Sequence, residues 1–337
     1  MAEAALDKQR PIASPLKSKR FLWREPENPI RWAYAKLLRE HSSIKRLYAV
    51  NPYAEVYRFR DGVYGICTES LDGMGDPWSY LVVGPERAML IDTGFGVGNL
   101  RGLVDEIIGG MPLVVTNTHA HFDHAYGNFQ FDRVYCHEYE THNLRAVMRP
   151  DIWDYLFDEH GRCIWTEFDR NDIVPFREYE IAGVPDGYVF DLGGGHEIEL
   201  VFMAGHTCGH AGFLDRRNRI LFCGDDACYG SVGIGASRPD NPHARYASVE
   251  GLYNQLVKIT ARMDAFDGLY PGHGPVDAGT IMLVNVMEAC KAVLDDPEAY
   301  DDSVERTWHG VTRTQYRKMI YMSGYLLYGR DRLYLNA

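Results

Sequence analysis

Short apolar runs punctuated by glycine and proline fill the middle of the chain, and their period changes from two to about 3.6 and back. Residues 57–59, 63–68, 79–83 and 88–91 are apolar or alternating, and Asp61-Gly62, Asp72-Gly73, Gly75-Asp76-Pro77 and Gly84-Pro85 separate them. Such dipeptides supply turns, so the pattern predicts an antiparallel meander that opens an α/β domain. Residues 99–108 have helical spacing and stop at Gly109-Gly110, and 113–116 follow as a buried strand. A strand at 133–136 and a helix at 138–147 come next. Strands resume at 188–192, 197–203, 212–214 and 220–223, with Asp215-Arg216-Arg217-Asn218 as a hairpin turn. A helix at 248–263, a strand at 268–270 and a helix at 280–294 complete the alternation.

The flanks read differently. Residues 1–20 are polar and contain Pro and Lys, which predicts a disordered or loosely attached arm. From 29 to 49 the spacing of Ile30, Trp32, Ala33, Leu37, Leu38 and Ile44 suits a helix packed on the main domain, with a substrate lid as the lesser alternative. Residues 148–186 break the rhythm, with Trp153, Tyr155, Phe157, Trp165, Phe168, Phe176 and Tyr179 set among charged residues. They read equally as an insertion burying its own aromatics or as a cap over a site. After Asp295 the residues Tyr316, Ile320, Tyr321, Leu326 and Leu327 suggest one more helix, packed on the domain or on another subunit. The expected organisation is an N-terminal extension (1–50), a catalytic domain (51–295) and a helical tail (296–337).

Composition narrows the function. A formal net charge of −12 argues against a nucleic-acid backbone as the main partner, because binding phosphates needs basic surface. No apolar run approaches the roughly 20 residues that span a bilayer. The first residues lack the apolar core of a secretory signal, and the seven cysteines are scattered without CxxC spacing. Reduced thiols, a cytoplasmic location and a small-molecule substrate are the expectations, with the terminal extensions offering a homodimer contact.

The chemistry concentrates just after the strand at 113–116. Thr118-His119-Ala120-His121-Phe122-Asp123-His124 places three histidines and a carboxylate within six residues, and these are the donors that Zn²⁺ and similar metals prefer. Three later positions repeat the character, each a polar donor at a strand end beside glycine: His206 in Gly205-His206-Thr207-Cys208-Gly209-His210, Asp225 or Asp226 after Gly224, and His273 in Gly272-His273-Gly274. One histidine after a strand is ordinarily a hydrogen-bonded loop residue. Four such positions at strand ends predict a convergent metal site. Asp92, about 27 residues upstream at another strand end, reads as a residue that orders the loop.

With its HxHxDH stretch and the ordered markers Asp92, His206, Asp225 and His273, the chain resembles the metallo-β-lactamase superfamily over roughly residues 53–290. The branch it resembles holds hydrolases similar to glyoxalase II and lactonases. The resemblance implies an α/β fold, a four-layer αββα sandwich with the site at one edge. It also implies His119, His121 and His206 on one metal, Asp123, His124 and His273 on a second, and Asp225 bridging them, in preference to Asp226. Asp225 stands where many true β-lactamases carry Cys or Ser, which disfavours antibiotics as substrates. Tyr229 lies near the place of an oxyanion-assisting tyrosine in the lactonase branch, with packing an equal alternative.

Seven such donors would hold two divalent ions, Zn²⁺ first with Fe or Mn as alternatives, and leave room for water and substrate. A water shared by the two metals would ionise near neutral pH and attack the carbonyl of an ester, lactone or thioester, oriented by Asp123. His210 would stand behind the ligands. A mononuclear iron sulfur dioxygenase-like oxidoreductase and, more remotely, a phosphodiesterase are the competing readings.

Overall fold

The computed structural model describes residues 15–20, 29–308 and 311–335. A short strand β1 (Lys19–Arg20) precedes helix α1 (Pro29–His41). The meander follows as its turns dictate: β2 (Lys45–Arg46), β3 (Ala54–Arg60), β4 (Val63–Thr68), β5 (Trp78–Val83) and β6 (Ala88–Ile91), each antiparallel to its predecessor. Helix α2 (Leu100–Ile108) then carries the chain back. Asn99 caps it by accepting the Gly102 N–H, and Gly109 ends it at φ 62°. This crossover makes β7 (Leu113–Thr116) parallel to β6. After a one-turn helix α3 (Phe122–Ala125) come β8 (Arg133–His137) and α4 (Thr141–Val147). The two-residue β9 (Thr166–Glu167) pairs with β1, and β10 (Glu180–Val184) lies parallel to β8. The result is an eight-stranded sheet ordered β10-β8-β7-β6-β5-β4-β3-β2.

The second half builds a six-stranded sheet. Strands β11 (Val189–Asp191), β12 (Glu197–Phe202), β13 (Ala211–Asp215) and β14 (Ile220–Gly224) are antiparallel in succession. Beyond the short β15 (Val232–Gly233), helix α5 (Val249–Thr260) crosses over, so that β16 (Gly268–Pro271) runs parallel to β14, with β17 (Ala278–Gly279) at the edge. Helix α6 (Ile281–Asp295) follows.

Alternation of side chains along the strands assigns the layers. Trp78, Tyr80 and Val82 of β5 and Met89 and Ile91 of β6 meet Ile198, Leu200, Phe213, Ile220 and Phe222 of the other sheet in one buried cluster. Their neighbours Leu81 and Leu90 point the other way, onto Leu103 and Val104 of α2. Leu221 and Cys223 likewise face Leu252 and Leu256 of α5 and Leu283 and Val286 of α6. A one-residue slip of β14 would exchange these faces, and burying a side chain such as Phe222 is worth about 1.5–3 kcal/mol, so the register is firmly set. The fold is the expected αββα sandwich. None of the seven cysteines, all among the described residues, is joined in a disulfide, and no described helix is long and apolar enough to cross a membrane.

The flanks depart from expectation. The tail is a β-structure: β18 (Asp302–Trp308), β19 (Val311–Met319) and β20 (Tyr325–Tyr328) join β15 in a four-stranded sheet. β-branched residues and cross-strand pairs decide this, with Thr314 Oγ1 donating to Glu305 and Asp302 opposite Arg317. Ile320, Leu326 and Tyr328 reach the core beside α6. The predicted helix at 29–49 stops at His41, where the chain turns into β2. Residues 1–14 of the predicted arm lie outside the described residues, but Leu16 and Ser18 are buried. The insertion is irregular, with single 3-10 turns at Asp154–Leu156 and Arg170–Asp172. It buries Trp153, Phe168 and Tyr179 on the outer face of the first sheet, and Trp153 Nε1 donates to the Phe95 carbonyl at 2.7 Å.

Candidate metal centre

Parallel pairing delivers the site. Strands β6 and β7 run the same way, so Asp92 and residues 117–124 emerge at one edge of the sandwich, and β14 and β16 bring Asp225 and His273 to the facing edge. The Trp78 N–H donates to the Gly272 carbonyl, and the Ala211 N–H donates to the Thr118 carbonyl, which stitches the edges together. Gly272 is required there, because a Cβ would lie 2.2 Å from Asp225 Oδ1 and 2.8 Å from His124 Cε1.

All seven residues singled out in the sequence as metal ligands converge. His121 Nδ1 is 3.0 Å from His119 Nε2 and 2.9 Å from His206 Nε2. His273 Nε2 is 3.3 Å from His124 Nε2 and 3.0 Å from Asp123 Oδ2. Asp225 lies between the two sets. Its Oδ2 is 3.9 Å from His119 Nε2, 3.6 Å from His206 Nε2 and 3.5 Å from His273 Nε2, and its Oδ1 is 3.5 Å from His124 Nε2.

Hydrogen bonds behind the rings fix their tautomers. The Gly233 carbonyl can only accept, so His206 Nδ1 donates to it at 2.6 Å. The same logic puts a proton on His273 Nδ1, which faces the Asp76 carbonyl at 3.2 Å, and on His124 Nδ1, 3.0 Å from Asp92 Oδ2. Thr118 Oγ1 donates to Asp92 and so accepts from His119 Nδ1 at 2.9 Å. In each ring the other nitrogen faces inward. His119 Nε2 and His206 Nε2 thus both turn toward His121 Nδ1, at 3.0 and 2.9 Å, and Asp225 Oδ1 is buried without a hydrogen-bond partner. This donor set suits divalent cations of the zinc type, which would satisfy every one of these atoms.

Charge is arranged accordingly. Burial, with His124 and His121 nearby, holds His119 well below the usual imidazole range, and burial with His206 pushes His121 down to about 3. Burial also works against charge on His124 and His273, but Asp123 beside the first and Asp225 beside the second prevail, and both are raised well above 6.5. Asp123 and Asp225 are lowered, since the charges of His124 and His273 outweigh their burial.

The supporting residues separate the acidic pair. Asp226 Oδ1 accepts the His206 N–H at 2.9 Å, and its Oδ2 lies 2.8 Å from His210 Nδ1. His210 Nε2 in turn accepts the Asp225 N–H at 3.1 Å. Asp226 and His210 therefore stand behind the site, and Asp225 faces it. Gly224 makes room at φ 49°, where a Cβ would lie 2.4 Å from His210 Nε2. Asp92 orders the loop as expected, accepting the Thr118 N–H at 2.7 Å.

Glu140 was not legible in the sequence. Fully buried, it accepts from the Ala120 N–H, Thr207 Oγ1 and the Gly209 N–H at 2.9–3.0 Å, and so ties the HxHxDH loop to the His206 loop. Its only signal was an acidic residue in a helical pattern. The Tyr229 ring packs against the core on the outer face of the second sheet, and its hydroxyl makes no hydrogen bond among the described residues. In the insertion, Tyr155 lies 5.6 Å from the Phe122 ring, which stacks beside His121.

The chain is 28% identical over 227 residues to acyl-coenzyme A thioesterase MBLAC2 of Homo sapiens, covering 63% of this chain and 78% of that protein. It is 23% identical over 175 residues to hydroxyacylglutathione hydrolase GloC of Haemophilus influenzae, covering 52% and 76%. A solved metallo-beta-lactamase from Pontibacter korlensis aligns with a TM-score of 0.48 and 18% identity over 71% of this chain and 99% of that one. Residues 72–273 match the profile of the Metallo-beta-lactamase superfamily. That span is more than half of the chain and contains all seven converging side chains, so the chain belongs to the metallo-beta-lactamase superfamily.

Proposed function

We propose that this hydrolase cleaves acyl thioesters of small-molecule carriers and uses two divalent cations to do so. The observation that carries the reading is the position of Asp225 between two histidine sets, His119 with His121 and His206, and His124 with His273 and Asp123. The names of the human and Haemophilus relatives, an acyl-coenzyme A thioesterase and a hydroxyacylglutathione hydrolase, favour the thioester over the ester or lactone.

Two bound cations would polarise the acyl carbonyl and lower the pKa of a nearby water. The chain's own residues do the rest. Asp123, kept ionised beside His124 and His273, orients the water and accepts its proton on a carboxylate oxygen. The water oxygen bonds to the acyl carbon, the C–S bond breaks, and the departing sulfur takes the proton from Asp123. Thr118 and Asp92 hold His119 and His124 in place, and Glu140 keeps the two loops in register. Phe122 and Tyr155 give the acyl group an apolar neighbour beside His121. Tyr229 enters only as packing.

A panel of acyl-CoA and acylglutathione thioesters, lactones and phosphodiesters tests the substrate class. Thioester turnover should lead, Asp123→Ala should lower it by about 10²-fold or more in a folded protein, and Tyr229→Phe should leave it within about twofold. Turnover confined to lactones or phosphodiesters would overturn the reading.

A further inference from the structure

Helix α1 lies outside the span matched by the superfamily, yet two of its side chains hold the segments that flank His273. Arg39 is buried on its last turn, and a buried guanidinium persists only when its charge is met. Its Nε is 2.8 Å from Glu55 Oε2, one Nη is 3.2 Å from Glu69 Oε1, and the other is 3.7 Å from Asp76 Oδ2. Glu55 belongs to β3, whereas Glu69 and Asp76 bound the loop between β4 and β5. That loop is closed on itself, with Asp76 Oδ1 accepting the Ser70 N–H at 2.9 Å. At its far end the Asp76 carbonyl faces His273 Nδ1, and Pro77 forms a β-bridge with His273.

The second link comes from one helical face away. Tyr34 Oη accepts the Val276 N–H at 2.9 Å, three residues beyond His273. One helix thus holds both the carbonyl that orients the His273 ring and the backbone that carries it. Helices and strands hold a site more exactly than loops do, and His273 sits in a loop that has no helix of its own.

We propose that α1 is a brace for one half of the metal centre, with Arg39 and Tyr34 as positioning residues for His273. The inference rests on the two-cation reading above. It makes the affinity of the Asp123–His124–His273 set for a divalent cation depend on the N-terminal helix, and leaves the His119–His121–His206 set independent of it. Residues behind metal ligands typically change affinity by about 10–100-fold when removed, whereas a helix that only stabilised the fold would lower the melting temperature and leave both affinities of the folded protein alone.

The test is Zn²⁺ binding to the full-length, metal-stripped protein in competition with a chromophoric chelator, repeated with Co²⁺ and its visible absorption. Wild type should bind two ions. Arg39→Met should weaken one of them by about 10–100-fold and spare the other, and Arg39→Lys should recover part of the loss. Tyr34→Phe keeps the ring and removes one neutral hydrogen bond, so it should weaken the same ion by about two- to tenfold. Unchanged affinities in folded variants, or equal weakening of both ions, would overturn the brace. Should Arg39→Met fail to fold, Tyr34→Phe decides by the same criterion. A wild-type protein that binds a single ion would instead overturn the two-cation reading, and the brace with it.

Discussion

Asp92 Oδ2 lies 3.0 Å from His124 Nδ1, and that contact decides which nitrogen His124 turns to the centre. Asp92 itself sits at φ 62°, in the left-handed region that Asp and Asn tolerate better than other side chains. The turn folds its carboxylate back onto the Thr118 N–H and hydroxyl, so one residue orders the HxHxDH loop and sets a tautomer.

Replacing Asp92 with Asn therefore tests orientation with little change of shape. The amide can keep the Thr118 N–H bond, but its NH₂ then meets the His124 Nδ1–H and favours the wrong tautomer. Cation affinity should fall about 10–100-fold with the fold retained. Chelator competition measures it, and wild-type affinity in Asp92→Asn would show that the tautomer is set otherwise.

Protons and cations compete unequally for the two sets. In the metal-stripped protein His124 and His273 are raised well above 6.5 by Asp123 and Asp225 against their burial. Their pairing stabilises the fold fully below pH 6.5 and is lost as pH rises through their folded values. His119 and His121 are lowered, so their contribution is present above 6.5, and that of His121 is lost as pH falls from there toward about 3. A cation entering the His124–His273 set must then displace protons at neutral pH, and one entering at His119 and His121 displaces none from those two rings. Calorimetric titration in buffers of different ionisation enthalpy should resolve one proton-releasing step whose affinity climbs with pH. Two steps with equal proton release would contradict the charge arrangement.

Asp225 and Asp226 should fail differently. Asp226 is fully buried against His210 and the His206 N–H, so Asp226→Ala breaks a buried pair and should cost about 3–5 kcal/mol of stability. Asp225→Ala removes the carboxylate that pairs with His273 and His124 in the metal-stripped protein, so it too should lower stability, but it alone should abolish binding of at least one ion. Paired thermal melts and metal analysis check this, and reversed outcomes would exchange the two roles.

Much of the sandwich was legible because its two halves repeat strong local signals. Turn dipeptides bound β3 to β6, Gly109-Gly110 ends α2, and each ligand follows an apolar strand. The tail was misread because Tyr316, Ile320, Leu326 and Leu327 are sparse among charged residues, and their spacing imitates a helix. The β-branched Val304, Thr307, Thr312 and Thr314 were the better guide, since cross-strand pairing rather than apolar period holds that hairpin. Arg39 and Glu140 were illegible for another reason. Each looks like an ordinary surface charge, and its meaning lies in partners at least 16 residues away, Glu55 for the first and Ala120 with Thr207 for the second. The Asp225-Asp226 doublet was open in sequence because adjacent residues share every local signal. Only the opposite directions of their side chains separate them.

The most direct test of the central claim is thioesterase activity followed while Zn²⁺ is titrated into metal-stripped protein. Two coupled ions predict that hydrolysis of an acyl thioester is absent without metal and reaches its plateau at about two equivalents per chain. A plateau at one equivalent, full activity in the stripped protein, or activity restored only by a single iron would contradict it.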